Sequence, residues 1–314
     1  MRLSFMGTPA FALPSLRALH DAGHEICLVV TQPDRPAGRG RRVTPPPVKL
    51  AAREFTLPVF QPEEVREPSV VAALRESRPE AIVVVAYGQL LPETILVLPP
   101  HGCLNLHASL LPKYRGAAPI PWAIIREEQV TGVTIMRIES RMDAGPVLLQ
   151  QEEPIRPRDT TGTLGDRLAV LGAELLCRAI DRVARGVASL IPQDERLATY
   201  APKLRSEDTR LDWAQNARVL DALIRGLMPE PGAVTRFGGL SIKVLETVAD
   251  EGAEAVGGDA PPGTVLAIDR DKGILVSTGK GGLRLSRVQP ANRRVMDAVE
   301  FARGYRVRPG DTFA

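Results

Sequence analysis

An asparagine and a histidine two residues apart, Asn105 and His107, open the stretch of this chain best suited to chemistry. Around them, Cys103-Leu104-Asn105-Leu106-His107 alternates small or apolar residues with polar ones, and a period of two reads as a β-strand. Side chains two apart share a strand face, so the carboxamide and the imidazole point the same way. Ser109, Pro112, Lys113, Arg115 and Gly116 then mark a loop. This pairing suits acyl transfer. An Asn donates a hydrogen bond to a developing oxyanion, and a His donates one too or moves a proton near neutral pH. Downstream, Asp143 in the tight loop Glu139 to Pro146 supplies a matching acid. The plain alternative is a polar sheet face whose histidine holds a structural partner. Cys103 has the same parity and could act as a nucleophile, but it reads first as small core filler.

A second group with chemical potential is the run Gln32 to Pro47, rich in Pro, Gly and Arg. Arg35, Arg39, Arg41, Arg42 and the following Lys49 have no acid among them. Such a segment is neither a helix nor an inner strand. Its length makes it functional or disordered, and arginines separated by Gly38 and Gly40 suit ordering on a phosphate. A solvated surface loop is the competing reading. From Lys280 onward the chain carries eight basic residues and three acids, Asp297, Glu300 and Asp311. Two basic clusters point weakly to an anionic partner.

The elements that must position these residues follow from periodicity. Arg2 to Met6 reads as a strand, Ala10 to Ala22 as a helix with Leu13, Leu16 and Leu19 on one face, and Glu25 to Thr31 as a second strand. A strand-helix-strand opening predicts a parallel sheet. The turn Gly7-Thr8-Pro9 lacks the three-glycine pattern of dinucleotide sites, and Pro9 stands where a phosphate-binding amide is wanted, which excludes NAD. Short helices at Val48 to Glu54 and Pro68 to Ser77 flank a short strand at Leu57 to Gln61. Ala81 to Tyr87 is a continuous apolar run, the mark of a central parallel strand buried on both faces. Ligands gather at the carboxyl ends of such strands, so Tyr87-Gly88 lies at the expected pocket and the Asn105–His107 strand should end beside it. A helix begins near Gly116, strands fall at Thr131 to Ile138 and Val147 to Glu153, and Thr160 to Ala184 is a long amphipathic helix with a core stripe of Leu164, Leu168, Leu171, Leu175 and Ile180.

Ser189 to Asp208 is polar and irregular, a linker by composition. Beyond it, Leu211 to Leu227 contains a helix. Five glycine-bounded strands follow, at Ala233 to Phe237, Leu240 to Leu245, Gly263 to Ile268, Gly273 to Ser277 and Leu283 to Val288. They predict a small barrel, and Glu251 to Pro262 reads as a mobile loop. The division is 1–189, a linker over 190–208, and 209–314.

Length and composition allow two soluble domains: 314 residues, 44% hydrophobic and 25% charged. The net charge of +3 excludes a globally nucleic-acid-like chain. No apolar run spans a bilayer, and the start MRLSFMGTPAF is too short an apolar stretch for a signal peptide. Three isolated cysteines, Cys27, Cys103 and Cys177, make neither a disulfide framework nor a metal site. An intracellular, reducing setting and a monomer are the expectations.

Several motifs are more specific. Phe5-Met6-Gly7-Thr8-Pro9-Ala10-Phe11, Thr31-Gln32-Pro33-Asp34-Arg35-Pro36-Ala37-Gly38-Arg39-Gly40, Val84-Val85-Ala86-Tyr87-Gly88, Asn105-Leu106-His107-Ala108-Ser109-Leu110-Leu111-Pro112, Arg115-Gly116-Ala117-Ala118-Pro119-Ile120, Thr131-Gly132-Val133-Thr134-Ile135-Met136 and Asp143-Ala144-Gly145 resemble those of the methionyl-tRNA formyltransferases. The resemblance covers nearly the whole chain. The Asn, His, Ser-Leu-Leu-Pro and Asp set is common to folate-dependent formyltransferases; the basic loop and C-terminal half narrow it to the tRNA enzymes. Lys113-Tyr114, Pro121-Trp122 and Met228 to Gly232 depart from the family's usual Arg-Trp, Gln-Arg and Asn-Pro-Trp-Pro-Gly.

The resemblance implies a Rossmann-like α/β formyltransferase domain followed by an OB-type β-barrel that binds tRNA, in a cytoplasmic enzyme of translation initiation that needs no metal. It implies transfer of the formyl group of 10-formyltetrahydrofolate to the α-amino group of methionyl initiator tRNA. Asn105, His107 and Asp143 would be catalytic. Ser109, Leu110, Leu111, Pro112, Tyr87 and Gly88 would hold the folate, and Arg35, Arg39, Arg41 and Arg42 the tRNA. A formyltransferase acting on a sugar-nucleotide amine or a purine precursor would share the catalytic set, but the basic loop and the barrel speak against it. A tRNA-binding module with a defunct enzyme half would not keep the Asn, His and Asp.

Overall fold

A computed structural model describes residues 1–37, 42–250 and 260–314. Its backbone divides into two units. The first comprises Met1–Pro119, Val130–Pro154 and Gly165–Pro202; the second comprises Ile120–Gln129, Ile155–Leu164 and Lys203–Ala314.

Chain order gives β1 (Arg2–Gly7), α1 (Leu13–Asp21), β2 (Glu25–Val30), β3 (Arg35–Ala37), β4 (Arg42–Thr44), α2 (Pro47–Glu54), β5 (Val59–Phe60), α3 (Pro68–Ser77), β6 (Ala81–Val85), α4 (Glu93–Leu96), β7 (Cys103–His107), α5 (Pro119–Ile125), β8 (Val130–Arg137), β9 (Val147–Pro154) and α6 (Thr161–Ala184). Among the described residues the first unit holds a seven-stranded sheet in the order β5-β2-β1-β6-β7-β8-β9. It is parallel from β5 to β7, as the strand-helix-strand opening predicts, and antiparallel at β7–β8 and β8–β9. The antiparallel β8–β9 pairing goes with its short connection over 138–146, since a parallel return needs a crossover of a dozen residues or more.

All five residues of β6 are buried, which is why its sequence is apolar without alternation. The strand stops two residues earlier than the apolar run because Ala86 turns left-handed, at φ 49°. Leu106 of β7 packs on α6. A side chain on Gly172 of α6 would strike Leu106, so glycine there lets the helix approach the strand that bears Asn105 and His107. The arginine-rich segment forms a two-stranded β3–β4 hairpin apart from the main sheet, pairing Arg35 with Thr44 and Ala37 with Arg42. Its residues 38–41 lie outside the described residues, as does most of the glycine- and acid-rich loop after residue 250.

The second unit contains α7 (Ala217–Gly226), β10 (Ala233–Phe237), β11 (Leu240–Asp250), β12 (Val265–Asp269), β13 (Gly273–Ser277), β14 (Gly282–Pro290), β15 (Met296–Asp297) and α8 (Ala298–Tyr305). The order is β10-β11-β14-β13-β12, with β15 on β14. The chain end bonds to both edges: Phe313 bridges Phe237 of β10, and Thr312 bridges Thr264 beside β12. Leu220 and Ile224 of α7 fall one turn apart on its apolar face and join Ile242, Val244, Phe301 and Phe313 in one core. Asn216 caps α7, accepting from the Arg218 amide at 2.9 Å. No helix among the described residues is long and apolar enough to cross a membrane.

Candidate active site

Strand β7 delivers Asn105 and His107 to one face near the carboxyl edge of the sheet. Asn105 is half-buried, and among the described residues its carboxamide has no internal hydrogen-bond partner. His107 is buried. Its Nε2 lies 2.9 Å from the Tyr114 carbonyl oxygen. A carbonyl oxygen only accepts, so Nε2 carries the hydrogen. That bond fixes the ring and turns Nδ1 toward Asp143, whose Oδ2 is 3.8 Å away. The side chains of the pair are only 7% and 16% exposed, so their interaction is little screened. The separation is an ion-pair distance rather than a direct hydrogen bond. With Nε2 held by a carbonyl, the ring nitrogen left for chemistry is the one facing the carboxylate.

Asp143 itself is held by a backbone amide and sits in a left-handed turn. The Gly116 amide donates to its Oδ2 at 2.8 Å, a charge-assisted bond. Its backbone is left-handed, φ 50°, an uncommon conformation for a residue with a Cβ. Gly116 is also at positive φ, 119°, and a Cβ there would stand 2.7 Å from the Ala201 carbonyl oxygen. Only glycine allows the chain to pass Ala201 so closely and still aim its amide at the carboxylate.

The loop after β7 is anchored as tightly. Ser109 is buried and its hydroxyl donates to the Lys113 carbonyl at 2.6 Å. The Thr134 hydroxyl of β8 donates to the Ser109 carbonyl at 2.6 Å and accepts from the Leu111 amide at 3.2 Å. Gln150 of β9 donates to the Leu111 carbonyl at 2.7 Å. Leu111 is buried, and Leu110 packs against Gly132 of β8. The bond from Leu111 to Pro112 is cis. Tyr87 does not turn its ring to the pocket. It is 2% exposed in the core cluster with Met6, Ile82 and Ile95, and burial pushes its phenol up to about 12. Only its backbone faces the β1 turn, where the Thr8 hydroxyl donates to its carbonyl at 3.0 Å. Gly88 follows, exposed and at φ 95°. Cys103 shares parity with Asn105 but sits at the other end of the strand, about 13 Å from His107 at ~3.3 Å per residue. It lies in the same cluster as Tyr87, and burial raises its thiol to about 12, so it is the core filler that its size predicts.

Arg35 and Arg42 are both exposed on the hairpin; Arg35 reaches Glu63 at 3.5 Å. Arg39 and Arg41 lie outside the described residues. The hairpin's root carries a cluster with no sequence signal beyond the Gln-Pro-Asp-Arg-Pro motif. Buried Lys49 donates to both oxygens of Asp34 at 2.7 Å, and Gln61 donates to the same carboxylate at 2.8 Å. Gln61 and Lys49 hold the Asp34 carboxyl below the usual carboxylate range.

The segment read as a linker belongs, through Pro202, to the first unit and makes contacts there that no local pattern singles out. Ile191 pairs with Val147 of β9 through two 2.8 Å backbone bonds. Thr199 accepts from the Arg115 amide at 2.9 Å, and the Ala201 amide donates to the Arg115 carbonyl at 2.8 Å. Arg115, 2% exposed, reaches both oxygens of Glu195 at 3.0 Å. A polar, irregular stretch carries no periodicity, so nothing local announces these contacts.

A family profile described as formyl transferase matches residues 1–180, and one described as formyl transferase, C-terminal domain, matches residues 203–306. A methionyl-tRNA formyltransferase of Geobacter metallireducens is 44% identical, covering 99% of this chain and 97% of the relative. One of Moorella thermoacetica is 47% identical, covering 99% and 98%. Among solved structures, HypX from Aquifex aeolicus in complex with tetrahydrofolic acid superposes with a TM-score of 0.67 at 18% identity, covering 96% of this chain and 47% of that one, so this chain spans about half its length. An N-formyltransferase from Helicobacter canadensis, in complex with folinic acid and dTDP-3-aminofucose, gives 0.64 at 15% identity over 90% of this chain and 98% of that one. Those two likenesses bear on the fold. The near-complete matches at 44 and 47% identity go further, and with both domain profiles aligned in order this chain belongs to the methionyl-tRNA formyltransferase family.

Proposed function

We propose that this chain transfers the formyl group of 10-formyltetrahydrofolate to the α-amino group of methionyl initiator tRNA, giving N-formylmethionyl-tRNA for translation initiation, with Asn105, His107 and Asp143 as its catalytic residues. The observation that carries the assignment of residues is the Asp143 carboxylate standing 3.8 Å from His107 Nδ1, held there by an amide 27 residues away in sequence, on the strand that carries the unpartnered Asn105.

When bound, the folate supplies an electrophilic formyl carbon on its N10. Asn105 donates from Nδ2 to the formyl oxygen as the amine attacks and negative charge grows there. Such a donor is worth about a hundredfold to a thousandfold in turnover. The His107–Asp143 pair takes the proton released by the amine and returns it to the leaving nitrogen, so that one proton leaves the acceptor and one reaches tetrahydrofolate. The ordered Ser109 to Pro112 loop, Gly88 and the backbone of Tyr87 border the folate. The residues present fit it: Asn105 offers a half-buried free donor beside a loop whose Ser109 hydroxyl and Leu111 amide and carbonyl are already bonded.

Arg35, Arg39, Arg41 and Arg42 grip the acceptor end, and the C-terminal unit is an OB-type barrel that adds phosphate contacts. The boundary between the two domains falls within 190–208, and the enzyme is a cytoplasmic monomer. Incubation with labelled formyl donor and charged initiator tRNA tests the reaction. Formyl transfer to that tRNA, and little to uncharged or elongator tRNA, is the expected outcome; no transfer to the initiator refutes it. Neutralising Arg42 should raise KM for tRNA and flatten its salt dependence, and an unaltered salt slope would remove the hairpin from the interface.

A further inference from the structure

We infer that Gln193 is a positioning residue for Asp143, holding the carboxylate's turn in its left-handed conformation. The inference rests on the catalytic role given to Asp143. A carboxamide has two acceptor sites and two donor hydrogens, and Gln193 uses all four. Its Oε1 accepts from Arg115 Nε at 3.1 Å and Nη2 at 2.8 Å. Its Nε2 donates to the Asp143 carbonyl at 2.8 Å and the Gly145 carbonyl at 2.7 Å. The two carbonyls belong to one turn, at whose start Asp143 holds φ 50°. Left to itself, a residue with a Cβ leaves that region for the right-handed or extended one. Tying down the carbonyls on both sides of Ala144 opposes that rotation.

The far side of Gln193 is fixed in turn. Arg115 is buried and its guanidinium is spread between Gln193 and the Glu195 carboxylate, a bidentate geometry with little freedom. Backbone pairing of Ile191 with Val147 and of Thr199 and Ala201 with Arg115 pins the segment on either side. The chain of contacts therefore runs from Arg115 through one amide to the backbone of Asp143, and from there to the oxygen facing His107. No other side chain of this length meets both demands. Glutamate can accept from Arg115 but presents oxygens to two carbonyls; lysine can donate but cannot accept; alanine does neither.

The test uses the full chain in steady-state formylation of methionyl initiator tRNA. Gln193→Glu keeps the volume and an oxygen that accepts from Arg115, so the segment stays seated, while both donors to the turn are lost. Gln193→Ala is the harsher companion. Each is made alone and together with Asp143→Ala. An ångström-scale displacement of a catalytic group costs on the order of a hundredfold. We expect kcat to fall about ten- to a hundredfold in Gln193→Glu, with KM for both substrates unchanged and near-parental circular dichroism. In the Asp143→Ala background the same change should cost nothing further, because interacting residues are not additive. Unchanged kcat in Gln193→Glu, a rise in KM with kcat intact, or losses that multiply independently in the double variant would each overturn the inference. If the parent chain forms no formylmethionyl-tRNA, the reaction assignment fails instead; a working parent with an unaffected Gln193→Glu rejects the positioning role alone.

Discussion

Replacing Gly116 by alanine tests whether the site's geometry is set by the close passage of two backbones. The added Cβ would stand 2.7 Å from the Ala201 carbonyl oxygen and 3.3 Å from its carbon. Both are backbone atoms, so no side chain can swing aside. Holding a residue with a Cβ in this region costs about 1–3 kcal/mol. Relief by parting the chains would break the 2.8 Å bond from the Ala201 amide to Arg115 or the 3.2 Å bond from the Ala118 amide to Ala201, each worth about 1 kcal/mol net. The sum is a destabilisation of about 2–4 kcal/mol. The same shift moves the Gly116 amide off Asp143, where it now donates at 2.8 Å, and should reduce kcat by roughly tenfold to a hundredfold. Urea unfolding should be followed by circular dichroism or by amide exchange over residues 112–118. Tryptophan fluorescence is unsuitable, because both tryptophans, Trp122 and Trp213, lie in the second unit while Gly116 and Ala201 lie in the first. A loss below about 0.5 kcal/mol, the scatter of ordinary surface changes, together with parental kcat would show that the passage is not tight and that the Asp143 carboxylate is aimed by something else.

Asn105→Ala should lower kcat by about a hundredfold to a thousandfold with the fold intact; near-parental turnover in a single-turnover assay would remove the oxyanion role. Cys103, with its thiol raised to about 12 by burial, should resist alkylation in the native enzyme, and Cys103→Ala should stay active; rapid modification with parallel loss of activity would contradict its place in the core. The hydrogen bonds from Gln61 and Lys49 lower the Asp34 carboxyl in the folded chain, so its contribution to stability is present above the ordinary carboxylate range and is lost as pH falls through the lowered value. Parent and Asp34→Asn should therefore differ in stability at neutral pH and converge in acid, and a constant difference across the acid range would refute the anchoring of the hairpin root.

What the sequence determined by itself was local. The two-residue period of β7 places Asn105 and His107 on one face, the unbroken apolar run of β6 demands a doubly covered central strand, and the stripe on α6 predicts its buried side; each follows from backbone geometry acting over a few residues. Polar residues at sequence-distant positions carry no such periodicity, and their partners are chosen by how the layers pack. That Asp143 arrives beside His107 depends on a left-handed turn held by Gly116 and Gln193. That Tyr87 turns inward depends on the reversal at Ala86, and that Cys103 is core rather than site depends on its end of the strand, although its parity is the same as Asn105's. The short connection between β8 and β9 made that pair antiparallel, and the polar stretch 191–201 became a brace because its backbone found partners at β9 and Arg115. Local residue types decide which face a side chain takes; only the closure of long loops against the core decides which faces meet.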